Sequence, residues 1–287
     1  MTCVFPFVGT PYGSRVSPLL ASPTSAHAAA LARDDDRAVR DFEDSTLWRV
    51  SEFERVQQRT GSSGFARLDE RTVLGTTLLS DLRRLDVDGT SDDVLEVAAA
   101  CMRHQEPALL LLQYDELVWP VTLFPLQRLY HSPRDLALAR PAALARMRLL
   151  RTEAPGVRPP GHWMHERIAQ AAHYHPLQPL LWLLAIDGPR SDLLAEIAGT
   201  TAYRALRSPA ELGLRLGGAL VPAAERLRRE TVPLRRISRW PGMSIERACR
   251  LLNGLYLSSA LLATRAHPAA RPAPRGLREW LLGARRR

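Results

Sequence analysis

Apolar positions recur along this chain with two different periods, and the places where the period changes divide it. Residues 1–40 show no period: Pro, Ser, Ala and Gly alternate with a short acidic run at Asp34–Asp36, which reads as a mobile leader. Helical spacing begins after Asp41, where Leu47, Val50, Phe53 and Val56 lie near one face and Gly61–Gly64 closes the segment. A second helical stretch is expected between Thr72 and Leu85, with Leu74, Leu78, Leu82 and Leu85 on one side. Ser91-Asp92-Asp93 then supplies a capping hydroxyl followed by acids in the first turn. Val94, Val97, Ala98, Cys101 and Met102 form the buried stripe of the helix that follows, and Pro107 ends it.

The period changes next. Ala108–Tyr114 and Leu117–Phe124 are apolar, partly β-branched runs joined at Asp115-Glu116, the pattern of a β-hairpin. Pro120 inside the second run points to an edge or a bulge. An Ala/Leu/Arg helix is expected over Arg134–Arg151, completing an α+β domain over residues 41–151. TEAPGVRPPG, residues 152–161, is rich in Pro and Gly and reads as a linker. A mainly helical half follows over residues 162–266. Its expected helices are His162–His175, the strongly apolar Leu177–Ile186, SDLLAEIAG with TTAYRALR after it, and a segment opened by the capping box Ser208–Glu211 and reaching Glu230. Leu177–Arg207 and Ala219–Leu262 share an order of elements that suggests two tandem helix–turn–helix units. Residues 267–287 form a Pro-rich basic tail. The expected class is therefore α+β: a small N-terminal helix/β-hairpin domain followed by a mainly helical C-terminal half.

Residues 231–265 carry the one constellation that points at a task. Leu234 and Ile237 point inward from a short basic segment, leaving Arg235, Arg236 and Arg239 for solvent. Pro241-Gly242 is a turn, and Ser244 can cap the next helix with Glu246 in its first turn. In that helix Ile245, Ala248, Cys249, Leu252, Leu255 and Tyr256 form one apolar face. Arg247, Arg250 and Gly254 fall opposite, with Asn253 beside them. The segment resembles a winged helix-turn-helix module, with Ser244–Ser258 in the place of the recognition helix and LLATR as a wing. That resemblance implies phosphate contacts from Arg235, Arg236, Arg239 and the basic tail, and base-edge contacts from Arg247, Arg250 and Asn253.

Charge sharpens this reading. The formal net charge is +9, and every one of the 39 basic residues is Arg. From Arg226 onward 15 Arg face three Glu, so the rest of the chain is net acidic. A basic end carrying the turn motif is the electrostatic footprint of a polyanion binder. Cys3, Cys101 and Cys249 form no CxxC pair, so neither a disulfide framework nor a thiolate metal site is expected, and the compartment is read as cytoplasmic. No run approaches the length of a membrane span, so no membrane partner is expected.

Candidate chemistry elsewhere is thin. His162, His165, His173 and His175 fall within 14 residues and could hold zinc, although their spacing matches no established metal motif. No GxSxG, phosphate-binding Gly-rich loop or GxGxxG is present, and the Cys101/His104 pair has no visible activator. Tyr130-His131 with Trp119 could line a small-molecule pocket. The expected function is a non-catalytic, cytoplasmic regulatory protein. Its Arg-rich C-terminal half would bind nucleic acid (DNA), and its N-terminal domain would sense or dock, with no cofactor required. The alternative is a protein-interaction adaptor or homodimer using Leu255, Tyr256 and Leu257. The third reading is a metal-dependent enzyme built on the His cluster.

Overall fold

Asp93 starts the helix around which the N-terminal part is packed: its carboxylate accepts hydrogen bonds from the backbone N–H of Leu95 and Glu96. A computed structural model describes residues 48–60, 73–87, 93–114, 116–139, 141–162 and 171–270 of the chain. The leader, most of the tail, His165 and the centre of the expected His162–His175 helix lie outside these residues. Strand β1 (Trp48–Arg49) leads directly into helix α1 (Val50–Thr60), followed by α2 (Thr76–Val87) and α3 (Val94–His104). Residues Val94 to Cys101 of α3 are all buried, so this helix is enclosed on every side for two turns.

The two apolar runs pair as expected. Strand β2 (Ala108–Tyr114) lies antiparallel to β3 (Leu117–Phe124), in a register from Ala108 opposite Leu123 to Tyr114 opposite Leu117. Contrary to the expectation from Pro120, β3 is an interior strand. Its other side pairs with β1 at Leu117 and Val118 and with β4 (Leu129–His131) at Thr122 to Phe124. Pro120 falls between these two partners, where no neighbouring strand requires an N–H.

The expected helix over Arg134–Arg151 is replaced by a 3-10 turn (Leu136–Leu138), the single-turn α4 (Pro141–Leu144) and strand β5 (Arg148–Glu153). Asp135 caps the 3-10 turn by accepting from Ala137 N at 2.9 Å, and its carboxylate also receives the Tyr130 hydroxyl. β5 completes one edge of the sheet against β2, with a bulge between Leu111 and Leu112. The other edge is β6 (Tyr174–Pro176), which pairs with β4. The expected 152–161 linker thus begins inside β5, and a strand from beyond it returns to the same sheet. The resulting six-stranded sheet has the order β5-β2-β3-β4-β6, with β1 also on β3.

Helix α5 (Leu177–Asp187) is apolar nearly all round, with Leu177, Leu180, Leu181, Trp182, Leu184 and Ala185 buried. One hydrophobic cluster runs from Leu95 of α3 and Leu110 of β2 through Leu181 of α5 to Leu252 further on, so the core does not divide at residues 152–161. The expected SDLLAEIAG helix does not form. Its backbone is held by side chains from elsewhere: Leu194 N donates to Asn253 Oδ1 at 3.0 Å, and Ala195 N to Glu96 Oε1 at 3.0 Å. Arg190 bridges to Asp93 and to Glu96, tying the same segment to the start of α3. TTAYRALR supplies strand β7 (Ala202–Ala205) instead of a helix. Leu177–Arg207 therefore holds one helix and one strand, and the tandem repeat of two helix–turn–helix units is not found there.

The Ser208 box forms, with Ser208 Oγ accepting from Ala210 N and Glu211 Oε2 from Ser208 N. It opens only a single 3-10 turn (Ala210–Leu212), stopped by Gly213 at φ 69°. Helix α6 (Leu220–Arg229), strand β8 (Val232–Pro233), the four-residue helix α7 (Leu234–Ile237), helix α8 (Ile245–Leu257) and strand β9 (Leu261–Thr264) complete the described chain. β7 lies between β8 and β9 in a three-stranded antiparallel sheet. The architecture is mixed α+β, with both sheets antiparallel, and no helix among the described residues is long and apolar enough to cross a membrane.

Candidate nucleic-acid interface

The turn between α7 and α8 is fixed from both sides. Gly242 adopts φ 72°, and a Cβ there would come within 2.6 Å of the Ala219 side chain, so the turn packs on the start of α6. Ser244 caps α8 by accepting from Arg247 N at 3.1 Å, as the sequence suggested. The Arg247 guanidinium folds back over the turn and donates to Gly242 O at 2.6 Å.

Around this turn the arginines gather. Arg235, Arg236, Arg239 and Arg247 are all exposed. Arg226 of α6 lies over the Trp240 ring, with its Cζ 4.8 Å from the ring centroid. Glu230 pairs with both Arg226 and Arg236, the latter at 3.3 Å. A chain of contacts thus joins Arg236 to Arg226, Arg226 to Trp240, and the following Pro-Gly turn to Arg247. Arg229 lines the same open side of α6 as Arg226. Arg226 and Arg229 were not singled out by the turn pattern, although ERLRRE carries the signal of a basic helix end. Across residues 199–270 there are 12 Arg against 4 Glu and no Asp, whereas the described residues before 199 hold 13 Arg and 13 acids.

The helix itself is not an open surface. Eight of the 13 residues of α8 are buried. The expected orientation is corrected at both ends. Ile245, placed inward by its spacing, is 62% exposed. Gly254, placed outward, lies against Trp182 of α5, where an added Cβ would be 2.9 Å from the ring. Asn253 is fully buried; its Nδ2 donates to Asp192 O at 2.8 Å and its Oδ1 accepts from Leu194 N. Arg250 donates to Ile186 O at 2.7 Å and Gly188 O at 2.9 Å, capping the C-terminal end of α5, and also pairs with Glu246. Its side chain is only 18% exposed. The base-edge roles expected of Arg250 and Asn253 therefore fail, because both side chains are spent on the core. Leu255 and Leu257, expected to form an adaptor or dimer surface, are buried, and Tyr256 is half-buried against the core.

The histidines are brought together only in part. His131 stacks edge-on to His173, with ring centroids 5.7 Å apart, and to Tyr174 at 5.0 Å, while His175 lies 5.1 Å from Tyr130. Burial, with His173 and His175 nearby, holds His131 well below its ordinary value, at about 4. His162 lies in a turn, its N–H donating to Pro159 O. Among the described residues no three His, Cys, Asp or Glu side chains are placed to hold a metal ion. Burial pushes the Cys101 thiol up to about 12, and His104 is engaged by Asp81 at 2.6 Å, so these two do not form a dyad. Tyr130 and Trp119 are buried core residues.

No family model, curated protein or solved structure matches this chain. The geometry alone carries the functional argument.

Proposed function

We propose that the chain is a non-catalytic regulatory protein whose C-terminal unit binds nucleic acid through exposed arginines, with the N-terminal sheet unit sensing or docking. The observation that carries this reading is the partition of charge: 12 Arg against 4 Glu over residues 199–270, beside a neutral remainder among the described residues. The order α6, β8, α7, α8, β9 supports a winged-helix reading of this unit. In that reading β7, from upstream in the chain, takes the place of the return strand after β9. Arg235, Arg236, Arg239 and Arg247 are the phosphate-binding side chains.

The test is a titration of the full chain with a DNA duplex, comparing the wild type with a triple Arg235→Ala, Arg236→Ala, Arg239→Ala variant. Each phosphate contact contributes about 0.9 in the logarithm of the binding constant per tenfold change in salt, so three contacts represent a loss of about 500-fold at about 0.1 M salt relative to a reference of about 1 M. Unchanged affinity in a folded variant contradicts the reading. A protein-interaction adaptor is the second reading, favoured by the exposed apolar side chains Leu206, Val221, Ile245 and Leu262 on the same unit. An adaptor shows no saturable binding of the duplex.

A further inference from the structure

We infer that the nucleic acid is held by its phosphates, as a duplex and without regard to base sequence; this rests on the nucleic-acid reading of the C-terminal unit. Reading bases in the major groove requires a helix that can enter the groove with its side chains free. Only the first turn of α8, Ile245 to Arg247, faces outward, and from Ala248 onward the helix is enclosed by the core. Its counterpart in the N-terminal unit, α3, is enclosed more completely. Neither helix can lie in a groove without leaving the fold.

The chemistry of the exposed surface agrees. Residues 199–270 contain no Gln and one Asn, and that Asn253 is buried with both of its amide atoms in use. The usual adenine-reading side chains are therefore missing from the open surface. Arg250, which could address guanine, spends its donors on Ile186 O, Gly188 O and Glu246. The exposed arginines around the turn lie on a four-residue helix (Arg235, Arg236), just beyond it (Arg239), in the first turn of α8 (Arg247) and on the flank of α6 (Arg226, Arg229), where a guanidinium meets a phosphate ridge.

Aromatic rings decide between duplex and single strand. Residues 199–270 hold only Tyr203, Trp240 and Tyr256 as aromatics. Tyr203 and Trp240 are buried, with Arg226 covering the Trp240 ring, and Tyr256 packs against the core. A single strand is gripped by stacking its bases on exposed rings, and among the described residues this surface offers no Phe, Tyr or Trp ring, only the imidazole of His267. A duplex presents a dense, ordered row of phosphates and needs no stacking.

The experiment measures binding of the full chain at low salt to three DNA duplexes of equal length. One is all A·T, one all G·C and one mixed; an oligothymidylate of the same length and phosphatidylserine vesicles complete the set. The inference predicts dissociation constants for the three duplexes within about threefold of one another, and single-strand binding weaker by roughly tenfold or more. Arg247→Ala lowers the affinity for all three duplexes by the same factor. A preference of about a thousandfold for one sequence, selected from a random pool, overturns sequence-independence while leaving the nucleic-acid reading intact. Equal or tighter binding of the single strand overturns the duplex assignment in the same way. Saturable binding to vesicles with none to any duplex, or no binding at all, overturns both.

Discussion

Asn253 sits on the helix that a sequence reading turns toward nucleic acid, yet its amide joins two parts of the core. It accepts from Leu194 N and donates to Asp192 O, an oxygen that also accepts from Arg190 Nε at 2.9 Å. Asn253→Ala leaves a buried N–H without an acceptor, at a cost of about 1–3 kcal/mol. The expected result is a lower denaturant midpoint with duplex affinity unchanged; weakened binding at unchanged stability would return Asn253 to the interface. His131 supplies a second test. The unfolded chain takes up this proton below its ordinary value of 6.5, while the folded protein resists until about 4. Between those two values the unfolded state binds more protons, so this group's contribution to stability is lost as pH falls through the window. The groups facing it are the rings of His173, Tyr174 and, more distantly, His175. His131→Phe keeps the ring contacts, and the fall in melting temperature on acidification over this window is expected to become shallower. An unaltered slope contradicts the assignment.

At the scale of elements, the packing of α8 on α5 is the joint that closes the C-terminal unit. Gly254 allows this approach, with Trp182 fixed by donation from its Nε1 to Arg215 O at 2.9 Å. Gly254→Ala gains about 1 kcal/mol of helix propensity and loses about 1–3 kcal/mol to overpacking, so net destabilisation is expected in a denaturant titration. A stabilised variant would mean that the joint is loose. The elements that were legible in the sequence are those with local causes. Ser244 and Ser208 cap the turns that follow them, the helix expected after Ser91 starts close by with Asp93 as its cap, and the two apolar runs of the hairpin pair because they are adjacent in the chain. β5 and β7 were read as helix because their sequences are Ala-, Leu- and Arg-rich, and their partner strands lie far away in the chain. Residues 191–199 were misread for a related reason: the groups that satisfy their backbone come from 59 and 99 positions away. The orientation of α8 was misjudged because neighbours pack on more than one of its faces, and a single apolar stripe cannot describe such a helix.

Across the whole molecule, one core joins the two halves, with α3, α5 and α8 contributing to a single hydrophobic cluster. Charge follows a different division: the part beyond residue 199 is strongly basic and the described remainder is neutral. The candidate site was legible as a charge distribution and as the turn at Pro241-Gly242. It was not legible as a set of base contacts, because burial of Arg250 and Asn253 depends on segments distant in sequence. The central claim is that the exposed arginines around this turn hold a polyphosphate. The most direct measurement is the dependence of the duplex binding constant on salt for the wild-type chain. Four phosphate contacts, from Arg235, Arg236, Arg239 and Arg247, predict a linear fall of log K against log salt with a slope of about −3.6. A slope near zero, or no measurable binding at the lowest salt, contradicts the account.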